Sequence, residues 1–241
     1  MDFPKSNFHL HSYYSDGKNS IIQIVKVALK LKFNYIAITD HLSNSWKARV
    51  IPTLDSYSKI SRYLEEISKC QDYLTRKNLD LMLLKGVEVD IASSEAFLKK
   101  LIHPEEFELI IFEYLETLEG LAFVKNLINY WKNKVGEYKM PILGLAHFDP
   151  SFFIHGALES LMQFLKTYQI YFEFNSRYSE FYSRKNEIFF DKLKEYQIPV
   201  VIGSDAHDLM GLNNIESPRE MIKYYDLEEN HLSLIDSIKK R

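Results

Sequence analysis

Short apolar runs alternate with amphipathic stretches from one end of the chain to the other. The runs are FHLH at Phe8 to His11, Tyr35 to Ile38, Leu81 to Leu84, Leu109 to Phe112, Ile142 to Ala146, Ile170 to Phe174 and Pro199 to Ile202. Between them, Asn19 or Ser20 caps a helix with Ile21, Ile24, Val25, Ala28 and Leu29 on one stripe. Further helices are predicted over Tyr57 to Lys77, Ser94 to Ile102, Leu121 to Lys134, Leu158 to Tyr168 and Lys185 to Tyr196. The tail from Pro218 to Arg241 reads as one or two closing helices. Continuous apolar runs belong to strands covered on both faces, so the alternation predicts right-handed βαβ units and a parallel sheet. That sheet is either closed into a barrel or left open and doubly wound.

At 241 residues the chain suits one sizeable core, and no repeat or Pro/Gly-rich linker divides residues 1–241 into domains. A formal charge of −3 gives no electrostatic case for long nucleic acid, and Lys239 to Arg241 reads as a solvated helix end. Cys70, the one cysteine, falls in a helical stretch, which excludes an internal disulfide and suits a reducing compartment. The N-terminus lacks a signal-type apolar region, and no run approaches the ~20 residues of a membrane span. These features describe a soluble, cytoplasmic protein.

The candidate chemistry lies where the runs end. His9 and His11, two apart on a strand, project to one side, and the turn Ser15-Asp16-Gly17 supplies a further ligand close by. The other runs end in His41, Glu88, Glu113, His147, Glu173 with Asn175, and Asp205 with His207. Five of the eight histidines fall at strand ends, while His103, His155 and His231 fall in helices or loops. In a parallel barrel those ends share one mouth. The joint pattern points to a metal centre.

Six motifs, in order, resemble the PHP (polymerase and histidinol phosphatase) superfamily, in particular its free-standing histidinol-phosphate phosphatase-like members. They are HLHSYYSDG, ITDH at Ile38 to His41, GVE at Gly86 to Glu88, LAHFDP at Leu145 to Pro150, EFNSR at Glu173 to Arg177 and GSDAH at Gly203 to His207. The resemblance implies a distorted, seven-stranded TIM-like α/β barrel with two or three divalent metal ions (Mn, Fe or Zn) at the strand C-termini. It implies His9, His11, Glu88 and Asp205 around a first metal. Glu88 would bridge to a second that takes His147, and Asp16, His41 and His207 would hold a third. Asp40 is either a carboxylate orienting His41 or a cap for its turn. One departure stands out: the Ser-x-His usual at the fourth strand is replaced by LIIFEYLE. Glu113, with Glu116 behind it, is the candidate replacement and favours Mn or Fe over Zn; the alternative is a hydrogen-bonding Glu113 and a weak or empty second site.

For substrate, Arg177 and Arg184 are rival phosphate donors, and each reads equally as a solvated charge. Glu173 and Asn175 pin loops at the mouth, Asn175 being also a candidate substrate contact. Trp46, Phe152, Phe153, Tyr178, Phe181 and Tyr182 are either packing or an apolar wall for a ring. Asp205 is the candidate proton shuttle. Cys70 has no paired histidine and is not read as a nucleophile. The expected activity is hydrolysis of a small phosphate monoester by metal-bound hydroxide, with histidinol phosphate leading by resemblance. The alternatives are a nucleotide phosphatase, an exonuclease-type phosphodiesterase and a non-catalytic binding barrel.

Overall fold

The computed structural model describes residues 3–240. Its strands are β1 (Ser6–Asn7), β2 (Tyr35–Ile38), β3 (His41–Leu42), β4 (Met82–Asp90), β5 (Leu109–Glu113), β6 (Ile142–Leu145), β7 (Ile170–Asn175) and β8 (Val200–Gly203). All pairings are parallel, in the order β1-β2-β4-β5-β6-β7-β8, with β3 a kinked continuation of β2 that also pairs with β4. The Phe8 N–H donates to the Ile202 carbonyl (2.9 Å), and Leu10 bridges to Ala206, which brings the last strand back to the first. The result is a nearly closed barrel of seven parallel strands, the closed alternative of the two topologies expected.

The helices are α1 (Ile21–Lys30), α2 (Tyr57–Arg76), α3 (Glu95–Leu101), α4 (Leu118–Val135), α5 (Ser151–Ile154), α6 (Leu158–Tyr168), α7 (Glu187–Tyr196), α8 (Glu216–Tyr224) and α9 (Glu228–Lys239). The outward strand residues, among them Ile36, Val87, Ile110, Phe172 and Val200, pack against this helical layer. The inward residues Tyr35, Ala37, Leu84, Leu109, Ile111, Ile142, Tyr171 and Val201 form a second cluster. Leu234, Ile235 and Ile238 of α9 complete that cluster and plug the barrel. Lys239 and Lys240 are exposed, as a solvated end requires, while Arg241 lies outside the described residues.

Strand period places the site. Going up β4, β5 and β7, the inward positions change from apolar (Leu84, Leu109 and Ile111, Tyr171) to Glu88, Glu113 and Glu173. The top layer of the barrel interior is therefore acidic. Two boundaries differ from expectation. β4 is nine residues long and runs through to Asp90, because Gly86, Glu88 and Asp90 face inward while Val87 and Val89 face the helices. The first strand is Ser6–Asn7, and Phe8 to His11 run on from it, tied to the end of β8 and the residues after it by the Phe8 and His11 N–H groups and the Leu10 bridge.

Candidate metal centre

Glu88 is the centre of the cluster. It is fully buried, neither oxygen accepts a hydrogen bond, and four imidazole nitrogens converge on it. His41 Nδ1 lies 2.7 Å away, His147 Nε2 3.0 Å, His9 Nε2 3.4 Å and His11 Nε2 3.5 Å. Asp205 Oδ1 lies 3.0 Å from His11 Nε2 and 3.5 Å from His9 Nε2. On the other flank His207 Nε2 is 3.0 Å from Asp16 Oδ2, and Asp16 Oδ1 is 3.7 Å from both His41 Nε2 and His11 Nδ1. The ligand atoms fall into groups spaced for an ion: His11, Asp16, His41 and His207; His9, Glu88 and His147; His9, His11 and Asp205; and His41, Glu88 and Glu113. A buried carboxylate crowded by imidazole nitrogens at 2.7–3.5 Å is what divalent cations would bridge and satisfy. The residues present fit such ions.

The ring orientations point the same way. The Glu173 carboxylate lies 3.0 Å from His9 Nδ1, so that nitrogen carries a proton and Nε2 is the one turned to the cluster. His207 Nδ1 donates to the Asp205 carbonyl at 2.8 Å, which turns its Nε2 toward Asp16 and the cluster. His147 (φ 42°) and Asp205 (φ 49°) both adopt the left-handed region just after their strands. For a non-glycine residue this costs on the order of 1–3 kcal/mol, which the surrounding structure must hold in place.

Charge is crowded here. Burial alone would raise Glu88, but His41 and His9 hold it well below the usual carboxylate range. Burial opposes protonation of His41, yet Glu88 and Glu113 bring it to about 10. Burial and the neighbouring His41 push His11 down to about 4. Glu113 is raised, first by burial and then by the Glu88 charge. Buried imidazoles and carboxylates crowd one another in the space that cations would occupy.

Several expected residues have other tasks. Asp40 accepts from the Ser12 N–H (2.9 Å), the Ser12 hydroxyl (2.6 Å) and the Ser15 N–H (3.0 Å). It therefore fastens the loop that carries Asp16, rather than orienting His41 or capping the turn after it. Glu173 pins the mouth as expected and also accepts the His147 N–H at 2.8 Å. Asn175 is buried and accepts the Arg177 N–H at 3.0 Å; it braces the backbone and does not line the mouth. Arg184 stacks on Tyr224, its guanidinium 4.8 Å from the ring, and is likewise absent from the cavity wall. Arg177 does line it, with Nη1 3.1 Å from Asp205 Oδ2. Phe153 and Tyr182 are core residues, whereas Trp46, Phe152, Tyr178 and Phe181 line a cavity of about 490 Å³ over the cluster. Burial pushes the Cys70 thiol up to about 11, and it takes no part.

Sequence reasoning missed Lys47, whose ammonium lies 2.5 Å from Glu113 Oε2, and Asp90, which accepts from the hydroxyls of Ser43 and Ser45. The only signal was position: SNSWK follows His41-Leu42. Glu116 stands on the cavity wall beyond Glu113. A groove of about 1530 Å³ at the opposite end of the barrel, lined by Lys5, Tyr35, Met82 and Lys139, contains none of the ligand groups.

The chain is similar to several known proteins. A crystal structure of histidinol phosphate phosphatase from Lactococcus lactis subsp. lactis Il1403, complexed with zinc, L-histidinol and phosphate, superposes with a TM-score of 0.62 at 14% identity, over 92% of this chain and 94% of that one. A structure of the unique metal-dependent tyrosine phosphatases YwqE from Bacillus subtilis and CpsB from Streptococcus pneumoniae gives 0.51 at 16% identity, over 92% and 93%. At these identities the likeness is one of fold. DNA polymerase/3'-5' exonuclease PolX of Bacillus subtilis (strain 168) is 34% identical over 87 residues, which are 36% of this chain and 14% of that protein. The PHP domain model matches residues 7–239, nearly the whole barrel. The chain belongs to the PHP domain family.

Proposed function

We propose that the chain is a metal-dependent phosphatase acting on a small phosphate monoester. The observation that carries this is Glu88, a buried carboxylate with four imidazole nitrogens within 3.5 Å and no hydrogen bond of its own. His9, His11, Asp16, His41, Glu88, His147, Asp205 and His207 are the residues that would hold the ions. Divalent ions in such a site lower the pKa of water and offset phosphate charge. Asp205 stands between the His11 imidazole and Arg177, so it can receive a proton at Oδ2 while Oδ1 stays toward the cluster. Arg177, about half exposed, reaches over the mouth and can donate to a phosphate oxygen.

The cavity size and its aromatic rim suit a compact substrate with a ring. Histidinol phosphate leads among such monoesters, supported by the fold-level likeness to a phosphatase that binds L-histidinol and phosphate. A nucleotide or a phosphotyrosine side chain has the same general shape. The formal charge of −3 and the enclosed mouth favour these over long DNA, although a diesterase on short ends uses the same centre.

The test is release of inorganic phosphate by Mn-loaded protein from L-histidinol phosphate, a 5′-nucleotide, phosphotyrosine and an aryl phosphodiester. Turnover of histidinol phosphate at least tenfold above the others supports the leading substrate. Turnover of another monoester keeps the reaction class and replaces the substrate, and turnover of the diester alone overturns the proposal.

A further inference from the structure

Lys47 brings a positive charge into the ligand cluster itself. The residue is 7% exposed, and its ammonium lies 2.5 Å from Glu113 Oε2, 3.4 Å from His41 Nδ1 and 4.8 Å from the centre of the Tyr114 ring. Its backbone is held as firmly. The Ser45 hydroxyl accepts the Lys47 N–H, the Ser43 and Ser45 hydroxyls both donate to Asp90 Oδ2 at the end of β4, and Thr53 Oγ1 donates to the Ser43 carbonyl. The loop after β3 is thus tied to the barrel so that one long cationic side chain points back into it.

The ligand group that Lys47 enters is His41, Glu88 and Glu113, whose atoms are otherwise spaced for an ion. Among the described residues Glu113 gives that ammonium its one close carboxylate, and Glu113 comes no nearer than 4.0 Å to the His147 imidazole. A lysine ammonium and a divalent ion sharing one carboxylate repel each other at short range in a buried site. Three groups remain, but His9 with Glu88 and His147 and His9 with His11 and Asp205 share the single cluster-facing nitrogen of His9 and so make room for one ion, while His11, Asp16, His41 and His207 make room for a second. Arg177 touches these groups only at Asp205 Oδ2 and His207 Nδ1, the atoms turned away from the cluster.

We propose that Lys47 takes the place of a metal ion on the Glu113 side of the centre. Glu113 is then the counter-ion of a fixed ammonium rather than a metal ligand, and the chain takes up two divalent ions, not three. Lys47 lines the cavity together with Arg177, so its remaining N–H groups supply the donor to a phosphate oxygen that a third ion would otherwise supply. This inference rests on the metal-centre reading above.

The test counts ions per chain by elemental analysis after loading with Mn or Zn and gel filtration, with circular dichroism to verify folding. Wild type, Glu113→Gln and Lys47→Arg are expected to retain two ions, and Lys47→Met to gain a third. Three ions in the wild type, loss of one in Glu113→Gln, or a folded Lys47→Met that stays at two each overturns the inference while leaving the phosphatase reading intact. A folded wild type that retains no ion overturns both.

Discussion

Glu173 holds two parts of the centre with one carboxylate: Oε1 lies 3.0 Å from His9 Nδ1, and Oε2 accepts the His147 N–H at 2.8 Å. It thereby sets the ring of one ligand and the backbone of another. Glu173→Gln loses the charge that keeps the His9 proton on Nδ1. A 10–100-fold drop in metal affinity is expected, read by zinc titration against a chelating dye. Affinity within twofold of wild type would show that His9 needs no such partner.

The same carboxylate explains a glycine. A Cβ on Gly203 would lie 1.6 Å from Glu173 Oε1 and 2.9 Å from the His9 Cβ. Gly203→Ala is therefore expected to expel Glu173, lowering both Tm and metal affinity. Adding Glu173→Ala removes the worse clash, so the double variant should melt above Gly203→Ala alone; simple additivity of the two losses contradicts this coupling.

Arg177 and Arg184 are seven residues apart but do different things. Arg177 faces the cavity and Arg184 lies on Tyr224. A charge-assisted hydrogen bond contributes about 1.5–3 kcal/mol. Arg177→Ala is thus expected to lower kcat/KM roughly 10–100-fold, and Arg184→Ala to leave it within about twofold. Comparable losses in both variants would contradict the assignment.

His231 provides a pH test away from the centre. It is buried against Phe3, its Nδ1 donates to the Val200 carbonyl, and burial lowers its pKa to about 4. Unfolded, the group titrates near the ordinary value of 6.5. Between those values the unfolded chain binds a proton that the folded chain does not, so stability falls as pH drops through that window. The linkage is roughly 3 kcal/mol over the interval. Urea unfolding at pH 7 and pH 4.5 should show a clearly smaller acid loss in His231→Gln than in wild type, and equal losses would contradict it.

Much of this was legible from periodicity. Runs such as Ile142 to Ala146 and Ile170 to Phe174 are apolar on both faces because helices cover one and the barrel interior the other, and they were found where expected. β4 was cut short because Glu88 and Asp90 are inward residues that read as a strand end when seen one-dimensionally. The ligand-type histidines were visible because each falls within or just beyond an apolar run. Lys47 was not, since a lysine in a Ser-rich loop looks solvated until Glu113 is brought beside it. The tasks of Asp40 and Asn175 are likewise properties of tertiary partners, Ser12 and Ser15 in one case and the Arg177 N–H in the other.

The most direct test of the central claim is phosphate release from a generic aryl phosphate by chelator-stripped, Mn-restored and Glu88→Gln protein, with bound metal measured in each. Stripped protein should be inactive and restored by Mn. Glu88→Gln should lose at least one ion and fall by 10³-fold or more, as removal of a group acting on transition-state charge does. Stripped protein that still turns over, or a Glu88→Gln variant with full metal content and full activity, would contradict it.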